Sequence, residues 1–390
     1  MRCLWLTLAD PEPKKNGQLI YSGGLIQSMA TGGTKLHVIG LDRHGEKDGL
    51  PRACANIRWQ LHRRHHRPTW RRLASPLPNL ALFGASSAGR QAVDQALAAE
   101  VWDAVVFDSI MSGWALGSVL RQRHRARKLV YLAHNCETIA ARRIADATRG
   151  VRWLARRLDA AKTAVLERRL LGAADFVAAD SPDDCVTLAP FTAAKKVRYV
   201  PAGYDGPRVS RRTITERLPR RAIIVGSFDW LAKRESLERF LDAATARLTA
   251  ARVDLQVVGS AEPHYLDRLR RRYPSVDFVG PVADVLPYMA AARIALVPDL
   301  LGGFKLKGLD YVFNRLPILS MRGSLPGMPL EDRRSYGLFD THISLAEGIL
   351  SHIDSLDTLN AYHQRAFDAC AKTFDWSQIG RQLIADIFRS

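Results

Sequence analysis

Short apolar strands alternate with helical segments along this chain, and the alternation occurs twice. In the first half the apolar, β-branched runs are residues 36–39, 104–107, 129–132, 176–178 and 197–200. After a basic stretch at 210–221 the pattern restarts, with runs at 222–225, 255–258, 276–279, 294–297 and 317–320. This alternation is typical of βαβ units, which build parallel sheets. The sequence therefore predicts an α/β protein of two Rossmann-like, doubly wound domains.

The chain is long enough for both domains, because 390 residues at 47% hydrophobic content exceed one ordinary core of roughly 150 residues. The apolar run at 3–8 is short and is followed at once by acidic and proline residues, so we interpret it as a buried strand and not a signal peptide. No apolar run approaches the roughly 20 residues of a membrane span. Five scattered cysteines without a C-x-x-C pair indicate a reducing compartment, and we expect a cytoplasmic protein.

Positive charge is concentrated in the first half. The net charge is +18, and residues 1–205 hold 31 Lys and Arg against 18 Asp and Glu, a net of +13. Such a field attracts anionic lipid, nucleic acid or polyanionic substrates, and charge alone does not choose among them.

The segment 58–72 is the most basic part of the chain, with six arginines, three histidines, two tryptophans and no acid. One interpretation is an interfacial patch, in which arginines meet the headgroups of an anionic inner-membrane surface and tryptophans lie at the boundary. Its candidate residues are Arg58, Trp59, Arg63, Arg64, Arg67, Trp70 and Arg71. The alternative is a disordered, solvated loop.

A long helix is predicted after residue 150. The spacing of Val151, Leu154, Leu158, Ala161 and Val165 alternates between three and four, which marks one apolar stripe. Arginines occupy the other faces. We interpret this helix as packing on the core through the stripe, with a solvated basic face.

Candidate site residues follow predicted strands, because parallel sheets bind ligands at the carboxyl ends of their strands. In the first half, Gly17 ends a polar loop where backbone N–H groups could approach a diphosphate, and His134 and Glu137 follow the strand at 129–132. An ordinary turn and a structural histidine are the alternatives for these positions.

The second half has a glycine-rich turn after the strand at 294–297. Gly302 and Gly303 would let backbone N–H groups approach a phosphate, and Lys307 adds a positive charge at a helix start. Asp310, three residues later, could accept hydrogen bonds from ribose hydroxyls. A common Gly-Gly turn before a helix is the alternative.

Several motifs are absent from the sequence. It has no G-x-G-x-x-G after the first strand, no G-x-x-x-x-G-K-[ST], no H-E-x-x-H and no G-x-S-x-G, which argues against nicotinamide, P-loop, zincin and hydrolase chemistry. It has no D-x-D triplet for a metal-bridged diphosphate either. We expect no metal and no cofactor, and a diphosphate neutralised by dipoles and lysines.

The order of these blocks resembles the retaining group 1, family four, glycosyltransferases of GT-B fold over nearly the whole chain. In the second half the matching blocks are 226–230, 257–259, 279–285 and 302–317, and in the first half they are 13–17, 134–137, 179–181 and 200–205, with 374–376 before the last helix. The resemblance implies two domains facing a central cleft: an acceptor-side domain at 1–205, a nucleotide-sugar domain at 206–372, and a helix at 373–390 that returns to the first domain.

The resemblance also implies the chemistry. A UDP or GDP sugar would be the donor, and a glycan or polyprenyl-diphosphate-linked acceptor would serve polysaccharide or glycolipid biosynthesis. Gly17, Gly226, Ser227, Lys233, Gly302, Gly303, Lys307 and Asp310 would bind the donor. His134 would contact the donor sugar or leaving diphosphate, and Glu137 would orient it or the acceptor hydroxyl.

Three positions depart from the family pattern. Gly302 stands where the family's first glutamate is expected, Lys233 where many relatives have Asn, and Arg315 where Gly usually precedes Pro317 by two. A glucuronosyltransferase-like enzyme, an inverting GT-B enzyme and a sugar-nucleotide epimerase are alternatives of related fold. A non-catalytic nucleic-acid-binding protein is the alternative of another class, but no nucleic-acid module is present and we expect no nucleic-acid partner.

Overall fold

The computed structural model describes residues 1–13, 17–43, 54–63, 74–150, 152–192, 196–229, 231–299 and 304–389. The chain divides into two compact units. Unit 1 comprises Met1–Gly203 together with Asp375–Ser390, and unit 2 comprises Tyr204–Phe374.

Unit 1 is built on a parallel sheet with strand order β3-β2-β1-β4-β5-β6-β7 in the described residues. Its strands are β1 (Arg2–Ala9), β2 (Lys35–Asp42), β3 (Ile57–Arg63), β4 (Trp102–Asp108), β5 (Ala126–Ala133), β6 (Phe176–Ala179) and β7 (Val197–Tyr199). Its helices are α1 (Gly17–Thr31), α2 (Asn79–Gly84), α3 (Ser87–Ala99), α4 (Leu116–Arg121), α5 (Glu137–Ala147), α6 (Arg152–Ala173), α7 (Pro182–Leu188) and, after unit 2, α14 (Trp376–Arg389).

The central strands of unit 1 are apolar along most of their length. Trp5 on β1 pairs with Val38 on β2 and with Val106 on β4, and all three side chains are fully buried. Parallel sheets are covered by helices on both faces, so their strands need continuous hydrophobic runs and not an alternating pattern. This is why the apolar runs of the sequence coincide with the sheet.

The last helix, α14, packs on α1 within unit 1. Trp376 fills the contact, since a Cβ on Gly24 would come within 2.1 Å of the Trp376 ring and one on Gly203 within 2.4 Å. Glycine at both positions lets the indole lie directly against the backbone.

Unit 2 has a second parallel sheet, with order β10-β9-β8-β11-β12-β13 in the described residues. Its strands are β8 (Arg221–Val225), β9 (Asp254–Val258), β10 (Val276–Gly280), β11 (Ile294–Val297), β12 (Ile318–Met321) and β13 (Gly337–Phe339). Its helices are α8 (Leu231–Ala250), α9 (Pro263–Arg272), α10 (Leu286–Ala290), α11 (Leu306–Phe313), α12 (His342–His352) and α13 (Leu356–Cys370).

The predicted pair of doubly wound parallel sheets is confirmed, and each sequence run that was assigned to a strand overlaps one. Two edge strands, β3 and β13, were not predicted. The interpretation of 58–72 as a disordered loop is wrong for residues 58–63, which lie in β3 (Ile57–Arg63), a strand that pairs with β2 over seven residues.

The predicted packing of the long helix α6 is also wrong. Leu154, Leu158 and Val165 of the apolar stripe are exposed, and Val151 lies outside the described residues. The helix buries a different face, made by Ala160, Thr163, Leu166, Glu167, Leu170 and Leu171. Periodicity identified an apolar face but could not show that α6 has two of them and that the other one meets the core.

Within the described part of the chain, no helix is long and apolar enough to cross a membrane.

Candidate active site

The strand order of unit 2 reverses between β8 and β11, which are neighbours in the sheet. The chain leaves β8 toward one edge through β9 and β10, and β11 continues toward the other edge. In open α/β sheets a crevice forms outside the carboxyl ends of the strands at such a switch point, and ligands bind there. The residues that follow Val225 and Val297 therefore line the candidate site of unit 2.

A buried ion pair lies at this switch point. Lys307, in the first turn of α11, places Nζ 2.5 Å from Oδ2 of Asp299, which follows β11 by two residues. Asp299 is buried, and burial alone would raise the pKa of its carboxyl. The charge and hydrogen bond of Lys307, with the charges of Lys305 and Lys233, lower that pKa below its ordinary value, so Asp299 is a carboxylate at neutral pH.

Two further lysines surround the pair. Burial lowers the pKa of Lys305 to about 8. The attraction of Asp299 opposes this lowering, and repulsion from Lys307 adds to it. Burial and the charge of Lys307 likewise lower the pKa of Lys233, against the attraction of Asp299 and Asp229. Three ammonium groups around one buried carboxylate leave an excess of positive charge, which suits an anionic ligand.

The start of α11 strengthens this charge. Lys305 is the residue before its first turn, Lys307 is in that turn, and the turn contains no acidic residue. Cations at a helix N-terminus oppose the helix dipole and are locally unfavourable by roughly 0.3–1 kcal/mol each. A bound anion would be attracted by both the dipole and the lysines, so this arrangement is suited to a phosphate group.

The loop after β8 approaches the same lysine. An added Cβ on Gly226 would lie 3.9 Å from Lys307 Nζ. Ser227 Oγ donates to Asp229 Oδ2 at 2.5 Å, and Ser260 Oγ donates to the same oxygen at 3.3 Å. The structure thus brings together Gly226, Lys233 and Lys307 of the predicted donor residues. Ser227 lies next to Gly226 in the same exposed loop.

Asp310 has a partner that the sequence did not indicate. It interacts with the Tyr204 hydroxyl, and burial raises the pKa of its carboxyl to about 6. Tyr204 also stacks on Phe313 with ring centroids 4.6 Å apart. Asp310 therefore lies in a half-buried contact one turn after Lys307.

Unit 1 has its own switch point, between β1 and β4. Asp108 ends β4 and is fully buried, and its carboxylate accepts three hydrogen bonds. The donors are Trp5 Nε1 at 3.0 Å, Ser22 Oγ at 3.0 Å and His134 Nε2 at 2.7 Å. Burial alone would raise the pKa of Asp108, but these donors and the charge of His134 lower it below its ordinary value.

His134 forms a hydrogen-bonded pair with Asp108. Burial alone would lower its pKa, but the Asp108 hydrogen bond and charge, with the carboxyls of Asp180 and Glu137, raise that pKa above 6.5. Tyr21 packs its ring edge against the imidazole at 5.2 Å. The pair fixes the orientation of the imidazole at the carboxyl end of the sheet and favours its protonated form.

A second carboxyl near His134 titrates in the neutral range. Burial raises the pKa of Asp180 to about 7. The attraction of His134 opposes this rise, and repulsion from Asp184 adds to it. Its Oδ1 is buried and has no hydrogen-bond partner among the described residues. A buried carboxyl with this pKa near a histidine–carboxylate pair is an arrangement found at functional sites.

Glu137 begins α5 beside another acid. Glu167 of α6 is buried, and it accepts from the backbone N–H groups of Glu137 and Thr138, each at 2.8 Å. Burial, then repulsion from Glu167, raises the pKa of Glu137. The Glu167 side chain therefore already accepts from the first backbone N–H groups of α5, which a bound anion would otherwise occupy.

Other predicted residues are less informative. Gly17 is the exposed first residue of α1. Arg58, Trp59 and Arg63 lie on β3, where strand alternation directs Arg58 to the face opposite Trp59 and Arg63. Gly302, Gly303, Arg64, Arg67, Trp70 and Arg71 lie outside the described residues.

Sequence reasoning missed Asp108, Asp180, Asp299 and Lys305. Asp108 ends the apolar run at 104–107, and Asp299 follows the run at 294–297 by two residues. The rule that was applied to His134, polar residues just after buried strands, would have found both. The role of Lys305 depends on its distance from Asp299, which sequence does not give.

Among the described residues, no three His, Cys, Asp or Glu side chains converge as a metal site.

Comparisons with known proteins agree with this architecture. Residues 219–354 match the family model of the group 1 glycosyl transferases. Sucrose-phosphate synthase from Thermosynechococcus elongatus superposes with a TM-score of 0.74 at 17% identity, covering 100% of this chain and 98% of that one. HepE of Anabaena, solved with UDP-glucose, has a TM-score of 0.67 at 14% identity and full coverage of both chains. WaaG, a glycosyltransferase involved in lipopolysaccharide biosynthesis, has a TM-score of 0.65 at 17% identity and 98% coverage of both.

No curated protein sequence gives a significant match. At these identities the solved structures establish the fold, which is GT-B. The chain is a transferase. The match to the group 1 glycosyl transferases lies within unit 2, over residues 219–354, and indicates that the group transferred is a glycosyl group.

Proposed function

We propose that unit 2 binds the diphosphate of a nucleotide-sugar donor at the lysine cluster, defined here as Lys233, Lys305 and Lys307. The observation that carries the proposal is the convergence of these three side chains around buried Asp299 at the β8–β11 switch point. A carboxylate holds the lysines in place without cancelling their charge. A diphosphate supplies the negative charge that the cluster lacks.

UDP is the nucleotide we expect. HepE, of the same fold, was solved with UDP and with UDP-glucose. GDP is the other nucleotide compatible with the sequence resemblance.

The lysine cluster would act on the leaving group. When the glycosidic bond to the donor phosphate breaks, negative charge develops on the departing diphosphate. Preorganised ammonium groups in a partly buried site stabilise that charge more strongly than water does. We propose that this step proceeds without a metal.

His134 would contribute from unit 1. Held by Asp108, its imidazole would contact the donor sugar or the leaving diphosphate, and its raised pKa favours the protonated form that stabilises negative charge. Glu137 would orient the donor sugar or the acceptor hydroxyl. We propose transfer with retention of anomeric configuration, by same-face attack assisted by the departing phosphate. The acceptor would be a glycan or a lipid-linked oligosaccharide, in polysaccharide or glycolipid biosynthesis.

A thermal-shift screen against UDP, GDP, ADP and dTDP tests the donor site, because a ligand that binds only the native state raises the melting temperature. We expect one uridine or guanosine diphosphate to raise it selectively, and Lys307→Ala to abolish the rise. Lys372→Ala, at an exposed lysine of unit 2, is the matched control and should keep it. No shift with any nucleotide at millimolar concentration would contradict the proposal.

Stereochemistry is tested separately. Proton NMR of the product formed from an α-linked donor should show an α-linkage. A β-linked product would be compatible with the proposed donor site but would show that transfer occurs with inversion. Conversion of the donor to its epimer without acceptor would indicate an epimerase.

A further inference from the structure

Asp180 lies beside the pair of His134 and Asp108, and the function proposed above gives it no role. Strands β5 and β6 are in register at Ala133 and Ala179, and His134 and Asp180 are the next residue of each segment. Neighbouring strands are about 4.8 Å apart. His134 therefore follows a strand that lies between β4, which ends in Asp108, and β6, which is followed by Asp180.

One oxygen of the Asp180 carboxyl is unsatisfied. Oδ1 is buried and accepts no hydrogen bond from the described part of the chain. Buried polar atoms nearly always have a partner, so such an atom needs an explanation. A carboxylate offers about four lone-pair positions, and the backbone N–H of Asp180 itself is the hydrogen-bond donor that acts on this one. The carboxyl thus keeps the capacity to accept from a ligand.

The neighbouring acids are engaged by the protein. Asp184 accepts from the backbone N–H of Cys136 at 3.1 Å and from Ser181 Oγ at 2.5 Å. Glu167 accepts from the first backbone N–H groups of α5. These two carboxyls hold the local structure together, and the unsatisfied oxygen distinguishes Asp180 from them.

Asp180 is also more open than the pair beside it. Asp108 is fully buried and His134 is 8% exposed, whereas Asp180 is half-buried. The χ2 torsion of an aspartate is broad and roughly two-fold, so the carboxyl can turn either oxygen outward. Of the three side chains, Asp180 is the one that a ligand reaches most easily.

The surroundings of Asp180 favour a neutral ligand. Burial raises the pKa of its carboxyl, and repulsion from Asp184 and Glu137 adds to this rise. A phosphate or carboxylate placed here would meet the same repulsion. A sugar hydroxyl carries no charge, and a hydrogen bond that it donates to a carboxylate is stronger than one between neutral groups.

We propose that Asp180 determines acceptor specificity, and that its carboxyl accepts a hydrogen bond from a hydroxyl of a neutral acceptor sugar. The inference rests on the proposed function, with the diphosphate on unit 2 and, as the sequence resemblance implies, the acceptor on unit 1. An acceptor sugar with a carboxylate at the same place is repelled. An acceptor that lacks the hydroxyl leaves a buried polar group unpaired and is rejected.

An NMR titration without any donor tests the binding. The neutral probes are the methyl glycosides of glucose, galactose and mannose, and the anionic probe is methyl glucuronide. At pH 8, above the pKa of about 7 of Asp180, most of the carboxyl is ionised. We expect at least one neutral probe to shift the His134 imidazole resonances at millimolar concentration. Methyl glucuronide should bind at least about tenfold more weakly, because like charges repel.

Two substitutions of Asp180 separate its charge from its hydrogen bond. Asp180→Ala should weaken the neutral glycoside about tenfold to a hundredfold, as expected for a lost hydrogen bond to a charged group. Asp180→Asn keeps the size of the side chain and an accepting oxygen, so it should recover most of this affinity and bind methyl glucuronide better than the unmodified protein does. Asp183→Ala removes an exposed acid three residues away and is the matched control, which should bind like the unmodified protein.

Turnover adds a second readout. With the nucleotide sugar that the thermal-shift screen selects, Asp180→Ala should raise the KM of the neutral glycoside and leave the KM of the donor unchanged. A change confined to the KM of the donor would overturn the proposal and assign Asp180 to the donor sugar.

Three results of the titration would also overturn the proposal. They are the absence of a shift with every neutral probe, equal affinities in Asp180→Ala and Asp183→Ala, and methyl glucuronide bound as tightly as the neutral probes. The nucleotide-induced thermal shift reports on the donor site alone. Its absence contradicts the proposed function, whereas loss of glycoside binding with the thermal shift intact contradicts only this inference.

Discussion

Lys307 Nζ lies 2.5 Å from Asp299 Oδ2, and both side chains are largely buried at the carboxyl end of β11. In our proposal the lysine that neutralises this buried carboxylate also binds the donor diphosphate, so the pair links stability to function. The two roles respond differently to substitution, and that difference makes them separable.

Lys307→Met should lower the free energy of unfolding by about 3 kcal/mol, because it leaves Asp299 buried without its closest counter-ion. Lys307→Met/Asp299→Asn should recover most of that loss, since the uncompensated charge is gone. Nucleotide binding should stay lost in both variants. Urea denaturation measures stability and calorimetry measures binding, and a double variant that regained UDP affinity would show that Lys307 is only structural.

Lys305 should make nucleotide affinity depend on pH. Its pKa of about 8 means that it is protonated below pH 8 and loses its charge above it. Affinity for a diphosphate should therefore fall as pH rises from 7 to 9. Lys305→Arg should flatten this dependence, because a guanidinium stays charged across the range. The check is calorimetric titration at several pH values, and an equally steep profile in Lys305→Arg would assign the dependence elsewhere.

Asp108→Asn should lower the pKa of His134, because burial then acts on the imidazole without a facing carboxylate. Because the pKa of Asp108 is lowered in the folded protein, its contribution to stability is fully present above pH 3.8, the ordinary pKa of an Asp carboxyl. Because the pKa of His134 is raised, its contribution is fully present below pH 6.5, the ordinary pKa of an imidazole. The variant should thus lose most stability between about pH 4 and 6.5, and less at pH 9.

Histidine titration by NMR and urea denaturation at pH 5.5 and 9 check this prediction. Ser22→Ala, which removes another donor to Asp108, is the control and should leave the pKa of His134 raised. An unchanged His134 pKa in Asp108→Asn would contradict the assigned pair.

Gly259→Ala should damage the donor site through the backbone. Gly259 has φ +140°, and a Cβ there would lie 1.6 Å from the carbonyl oxygen of Gly226, so the loop after β8 must move. We expect a loss of more than about 3 kcal/mol in stability, together with loss of nucleotide binding. Gly33→Ala, with φ +87° and open space, is the control and should cost only about 1–2 kcal/mol.

The sequence by itself determined the two-sheet architecture and many of its strands. Buried parallel strands must be apolar along their length, so the runs at 104–107 and 294–297 identify their strands without any tertiary information. The same logic led to His134, since a polar residue directly after such a strand is positioned by the strand itself. Lys307 was predicted from the glycine-rich turn and the helix start that follow the run at 294–297.

Only the tertiary structure decided which charges meet. Asp108 and His134 are 26 residues apart, and their contact arises because β4 and β5 are neighbours in the sheet. The edge strand β3 was missed because its basic, aromatic composition is not that of a buried strand. The exposed face of α6 could not be assigned from periodicity, because two apolar faces give the same local signal and only packing selects the one that is buried.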